Sequence, residues 1–208
     1  LWHRGAGHLA TGSDCLVKSL SARILYLHGF CSSPASWKAR LLADTLSARG
    51  LGERFFCPAL SPVPHEAIAQ AEAIIGAQAR PLTLVGSSLG GFYATCLAEK
   101  HDLRAVLINP VVVAPISLSE FIGTQPNLYT SETFEFTAEH VEQLRALELP
   151  QVTPERYLLL VETGDEVLDY RLALARYAGC RQQVRAGGDH SFTCFPDLLP
   201  QLLEFCGL

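Results

Sequence analysis

The chain has 208 residues, 49% of them hydrophobic and 18% charged, with a formal net charge of −5. That length bounds one domain with a substantial core, and the composition excludes a disordered chain. Lys and Arg are scattered, with no basic run and no interleaved aromatics, which excludes a nucleic-acid footprint, and no apolar run approaches the roughly 18 residues of a membrane span.

In chain order, residues 1–22 are rich in Gly, His and Ser without periodicity and read as a flexible extension, with His3 and His8 solvated rather than metal-ligating. Residues 24–28 (ILYLH) form a short apolar run ending in His-Gly, as a buried parallel strand does. Pro34 is expected to open a helix whose apolar stripe is Trp37, Leu41 and Leu42, with Gly50 ending it. A second strand at 55–57 stops at Pro58, and 64–77 reads as a helix. The third strand, 82–85, runs into Gly86-Ser87-Ser88-Leu89-Gly90-Gly91 and a helix to about residue 100. Strands follow at 105–108, 157–161 and 183–185, with helices at 168–178 and 198–205.

This alternation predicts an α/β fold: a mostly parallel sheet of about six strands with helices on both faces, spanning 23–208. About 45 residues separate the strands at 105–108 and 157–161. Residues 111–153 therefore read as a small cap-like insertion over the strand ends, the alternative being an ordinary crossover with long loops. Its Ile116, Phe121, Ile122, Tyr129, Phe134 and Phe136 suit either an acyl pocket or core packing.

Gly86-Ser87-Ser88-Leu89-Gly90 matches G-x-S-x-G, with Ser88 as candidate nucleophile. The glycines answer crowding where a strand turns sharply into a helix, and the helix N-terminus aims N–H groups at a developing oxyanion. Three fixed positions arise by chance in about one chain in fifteen, so the strand before and the helix after carry the weight. Ser87 sits at the variable position and is expected to point elsewhere.

A serine hydroxyl needs a base, and in this fold the order is Ser, acid, His. His190, in Gly187-Gly188-Asp189-His190-Ser191-Phe192 after the last strand, is the expected base; His140 falls in the insertion and His101 at a solvated helix end. The expected acid is Asp165, in Glu162-Thr163-Gly164-Asp165-Glu166-Val167-Leu168-Asp169, with Val167 tucking into the core. Asp169 is the alternative acid, unless it caps a helix or pairs with Arg171; Glu162, Glu166 and Asp189 are less well placed. The oxyanion donors are expected to be the backbone N–H groups of Leu89 and Phe30, the latter in the loop His28-Gly29-Phe30-Cys31-Ser32-Ser33. His28 reads as shaping that loop.

Seven widely spaced cysteines (Cys15, Cys31, Cys57, Cys96, Cys180, Cys194, Cys206) without a C-x-x-C pair suit reduced thiols in the cytoplasm, not a disulfide framework or a zinc site. Cys31 alone falls in a loop assigned to the site. No secretory signal pattern is visible.

The motifs LYLHGF-x-SSP, LVGSSLGGFYAT, NP, TGDEVLDYR, YA-x-CRQ and GG-x-H-x-F, in this order from about residue 24 to the C-terminus, resemble the small bacterial YqiA-like esterases. The resemblance implies a cytoplasmic α/β hydrolase without cofactor or metal that cleaves carboxylic esters of small molecules, short acyl chains favoured and thioesters possible. It carries nucleophile, acid and base onto Ser88, Asp165 and His190. Lactone, peptide or carbon–carbon cleavage on the same triad, and a non-catalytic binding protein on the scaffold, are the alternative readings.

Overall fold

A computed structural model describes residues 22–208, so the expectations for residues 1–21, and for Cys15, lie outside the described residues. Numbered in chain order, six strands make one parallel sheet: β1 (Arg23–Leu27), β2 (Phe55–Phe56), β3 (Leu82–Ser87), β4 (Arg104–Ile108), β7 (Tyr157–Glu162) and β8 (Arg181–Arg185). Their order is β2-β1-β3-β4-β7-β8. β3 and β7 are buried at every residue, as central strands covered on both faces are; they are mostly apolar, and their polar residues Thr83, Ser87 and Glu162 are buried with the rest. β8 is polar and half exposed, as suits an edge, and its pairing with β7 starts two residues earlier than the expected 183.

Side chains of the strands alternate between two cores. Leu25 and Leu27 of β1 face the core made with α2 (Pro64–Ala77), α3 (Leu89–His101) and α6 (Tyr170–Arg176). Ile24 and Tyr26 face the opposite core, made with α1 (Trp37–Ala48) and α7 (Phe195–Cys206).

Several helix ends differ from expectation for local reasons. Pro34 lies in a turn closed by Ser36 N–H donating to Ser33 O, and α1 starts only at Trp37. α7 starts three residues before the expected 198, because Pro196 fits the first turn, where no N–H is needed. α6 is shorter than 168–178: Asp169 caps it, accepting from Arg171 N–H at 3.0 Å.

Between β4 and β7 the chain forms α4 (Ala114–Ser119), an antiparallel hairpin of β5 (Gly123–Pro126) and β6 (Thr133–Phe136), and α5 (Ala138–Ala146). Phe136, Val141 and Leu144 reach the core beside α2 and α3. The exposed apolar residues Ile116, Ile122, Leu128 and Tyr129 all lie in this stretch.

Candidate active site

The chain runs from β1 to the edge strand β2, then crosses to the far side of β1 to form β3. Loops leaving the C-terminal ends of β1 and β3 therefore part in opposite directions and border one crevice. Ser88 stands there with φ 54° and ψ −122°, a conformation that L residues adopt at a cost of about 1–3 kcal/mol. Its neighbours enforce it. A Cβ on Gly90 would overlap the Leu27 carbonyl, one on Gly86 the Gly90 carbonyl, and one on Gly91 would come within 2.7 Å of Pro110 Cβ. Bare backbone at these three positions lets α3 begin immediately after Ser88, with Leu89 as its first residue. The first N–H groups of a helix lack intrahelical acceptors and carry its positive end.

His190 Nε2 lies 3.1 Å from Ser88 Oγ, and His190 Nδ1 lies 2.9 and 3.0 Å from the two carboxylate oxygens of Asp165. The Asp165 side chain is only 2% exposed. With Nδ1–H donating to the carboxylate, Nε2 carries a lone pair facing the serine hydroxyl. Asp165 is itself fixed: its Oδ1 accepts from Val167 N–H at 2.9 Å and Leu168 N–H at 2.8 Å. The acid and base loops touch through bare backbone, Gly164 N–H donating to Gly187 O at 2.8 Å.

Three sequence-predicted residues are thus brought together: Ser88, Asp165 and His190. Of the two expected oxyanion donors, Leu89 opens the helix after Ser88. Phe30 follows Gly29, where a Cβ would lie 3.1 Å from Ser88 Cβ, so the β1 loop passes directly over the serine. Ser87 is buried at the end of β3. His28 shapes the loop as expected: Nδ1–H donates to Gly29 O and Nε2 accepts from Leu60 N–H, both at 3.0 Å. Burial pushes its pKa down, so it is neutral.

Other expectations need correction. Val167 is 58% exposed, because its N–H is turned toward Asp165; Leu168 packs against the core in its place. His101 is not free in solvent but paired with Glu72 at 2.7 Å. His140 lies in the insertion as expected, where it caps α5 reciprocally with Thr137. Of the six apolar residues of the insertion, only Phe134 lines the cleft beside Ser88, while Phe136 is in the core and Ile116, Ile122 and Tyr129 face outward.

That cleft has a volume of about 390 Å³. It is lined by the β1 loop and Leu60, by Leu89 and Tyr93 of α3, and by Asn127 and Phe134 of the hairpin. The Phe30 ring packs edge-on against Phe134 and Phe136 and tilted on Phe121. Cys31 is half buried here at φ 54°, and burial pushes its thiol pKa up, so it stays protonated.

Residues that sequence reasoning missed are Asn109, Glu162 and Lys38, which lie behind the base loop. The one visible signal was a glutamate directly after the apolar run YLLLV, a position where a charge needs dedicated partners.

The sequence model described as "Uncharacterised protein family (UPF0227)" matches residues 23–207. The chain belongs to this family. It is the YqiA-like family to which the motifs pointed. Among solved structures, the UPF0227 chain superposes on a protein of Agrobacterium vitis S4 with TM-score 0.70 at 18% identity, covering 91% of this chain and 89% of that one. Mouse alpha/beta hydrolase domain-containing protein 10 gives 0.63 at 19% identity, covering 87% of each chain. A structure from the work on the metagenome-derived lipolytic enzymes LipS and LipT gives 0.59 at 18%, covering 89% and 94%. These likenesses are of fold: the chain has the α/β-hydrolase fold.

Proposed function

We propose that this UPF0227 member is a serine hydrolase that cleaves carboxylic esters of small molecules, short acyl chains first, through an acyl-enzyme. The observation that carries the reading is the unbroken hydrogen-bonded line from Asp165 through His190 to Ser88, ending beside a cleft and at the N-terminus of α3. Ser88 Oγ attacks the ester carbonyl as His190 Nε2 takes its proton. Asp165 holds the tautomer and stabilises the imidazolium that forms. The oxyanion is received by Leu89 and Phe30 N–H groups, each worth about 3 kcal/mol. His190 then protonates the leaving alcohol, and a water molecule, deprotonated by the same nitrogen, releases the acid and restores Ser88.

Every proton in this scheme moves between protein groups, substrate and water, so the proposed reaction calls for no cofactor or metal. The cleft volume of about 390 Å³ supports a compact acyl group, and the lipolytic activity named for LipS and LipT is consistent with the same chemistry on this fold. The reading includes a cytoplasmic setting, supported by six free cysteines among the described residues. No described helix is long and apolar enough to cross a membrane.

The deciding experiment is Ser88→Ala in a folded sample, assayed with p-nitrophenyl esters of increasing acyl length and with the matching thioesters. Turnover and fluorophosphonate labelling are both expected to vanish. Retained turnover removes Ser88 from the reaction, and a wild-type protein that neither labels nor turns over any ester makes the scaffold a binding protein instead.

A further inference from the structure

Reaction through Ser88 requires His190 Nε2 to stay at one place, yet the segment that carries it has little apolar anchorage. Residues 186–188, 191 and 193 are exposed, and Phe192 (φ 64°) is its one wholly buried side chain before α7 begins. What meets this segment from below is polar. Glu162, the last residue of β7, is 1% exposed. Its Oε2 accepts from Asp189 N–H at 2.8 Å and Thr193 N–H at 3.2 Å, and its Oε1 from Cys194 N–H at 2.9 Å. One carboxylate therefore binds the backbone on both sides of His190.

The carbonyls of the same segment are taken by two other buried side chains. Asn109, at the end of β4, donates from Nδ2 to Asp189 O at 3.1 Å, with His190 O at 3.5 Å. Its Oδ1 accepts from Glu162 N–H at 3.0 Å, so the two residues are locked to each other. Lys38, on α1, donates from Nζ to Ser191 O at 2.8 Å. Glu166 Oε2 accepts from His190 N–H at 2.9 Å from the exposed side.

A carboxylate this deeply buried is costly unless it is fully hydrogen-bonded. Burial raises the Glu162 pKa, but bonds from the Cys194 thiol and from the Cys194, Asp189 and Thr193 amides outweigh it and hold the group below its ordinary value. The backbone is shaped around the anion as well: Gly188 sits at φ 74°, where a Cβ would overlap the Glu162 carboxylate.

We propose that Glu162, with Asn109 and Lys38, forms a buried clamp that positions the His190 loop for proton transfer, so that Glu162 is a positioning residue of the reaction and not a second acid. This rests on the hydrolase reading above. Charge-assisted bonds to backbone on both sides of His190 fix the distance from Nε2 to Ser88 Oγ, which apolar packing of an exposed loop would leave loose.

The test is Glu162→Gln in the full chain. Glutamine keeps the shape, but whichever way its amide is turned, an NH2 group faces an N–H donor of the loop. The expected result is a fall in kcat of about 10²-fold with KM unchanged, because the cleft lies against the β1 loop and hairpin instead. Fluorophosphonate labelling should slow in parallel, and the downfield proton resonance of His190 Nδ1–H on Asp165 should broaden or disappear. Ile75→Ala, a buried residue at the far end of α2, serves as the merely destabilised control and should keep kcat and the resonance.

Wild-type kcat and an unchanged resonance in Glu162→Gln would overturn the clamp while leaving the esterase reading intact. If wild type turns over no ester, that reading fails, and the resonance alone still decides the clamp. Should Glu162→Gln not fold, Lys38→Met tests the clamp from the carbonyl side. A several-fold loss of kcat at constant KM supports the clamp, and unchanged kcat rejects it.

Discussion

The loop that carries His190 and the loop that carries Phe30 reach the same serine by different forces. The first is held by buried charge: Glu162, Asn109 and Lys38 satisfy its backbone groups with directional bonds. The second is held by rings, Phe30 lying 5.0 to 5.7 Å from Phe136, Phe134 and Phe121. Polar links add to this: His28 to Gly29 O and to Leu60 N–H, Leu128 N–H to Cys31 O at 2.8 Å, Asn127 Nδ2 to Ser32 O at 3.1 Å, and Ser33 accepting from Ala35 and Ser36 N–H. Hydrogen bonds weaken steeply with angle and so fix position; ring packing tolerates sliding. On the base side, directional bonds to buried polar side chains dominate; on the cleft side, ring packing contributes the larger share.

The largest expected effect is on the chemistry. Asp165→Asn should lower kcat by about 10⁴-fold, because the amide no longer enforces the tautomer that leaves a lone pair on Nε2. Asp169→Asn should stay close to wild type, since Asp169 is spent on capping α6 and pairing with Arg171. Steady-state kinetics on one ester compares the two, and the reverse ranking would transfer the acid role to Asp169.

Next in size is a pH effect confined to the base side. Burial pulls the Lys38 ammonium down to about 8 from 10.5, opposed by the charges of Asp189, Glu162 and Asp165. Between those two values the unfolded chain holds the proton that the folded one has lost, so this group makes folding more favourable as pH rises through that window. The cost of burying the ammonium is present in full below pH about 8. Lys38→Met lacks that cost. Its stability relative to wild type should therefore decline by up to about 3 kcal/mol between pH 8 and 10.5, superimposed on a constant loss from the unpaired Ser191 carbonyl. Urea denaturation of both proteins across this range measures it; a difference that does not change with pH would show that Lys38 titrates normally.

The smallest expected effect sharpens the cleft side. Phe134→Ala removes a wall of the cleft and one of the rings against Phe30, and should raise KM for a short acyl ester by about tenfold with kcat little changed. A kcat loss larger than the KM change would mean that the aromatic side also sets the position of the reacting atoms.

Sequence legibility followed the range of the interaction. The turn at Ser88 was readable because its pattern is local: the strand before, the glycine-flanked serine and the helix after are written in the same twenty residues, even though Gly90 and Gly91 are required by Leu27 and Pro110 of other segments. Asp165 and His190 were readable through chain order. Val167 was misjudged because the turn that serves Asp165 points its side chain outward, a consequence of a hydrogen bond that periodicity does not carry. The role of Glu162 is not legible in the sequence, because its partners, Asp189, Thr193 and Cys194, lie about thirty residues onward and offer backbone N–H groups, which any residue type could supply.

The amino-acid order alone determined the alternation of strands and helices, the strained serine turn and the three residue types of the relay, since each rests on periodicity, local sterics or order along the chain. The tertiary structure decided which charges hold the relay in place and which apolar residues of the insertion border the cleft. Those depend on distances between segments far apart in sequence. A buried carboxylate and a solvated one are the same letter until the surrounding chain has closed over one of them.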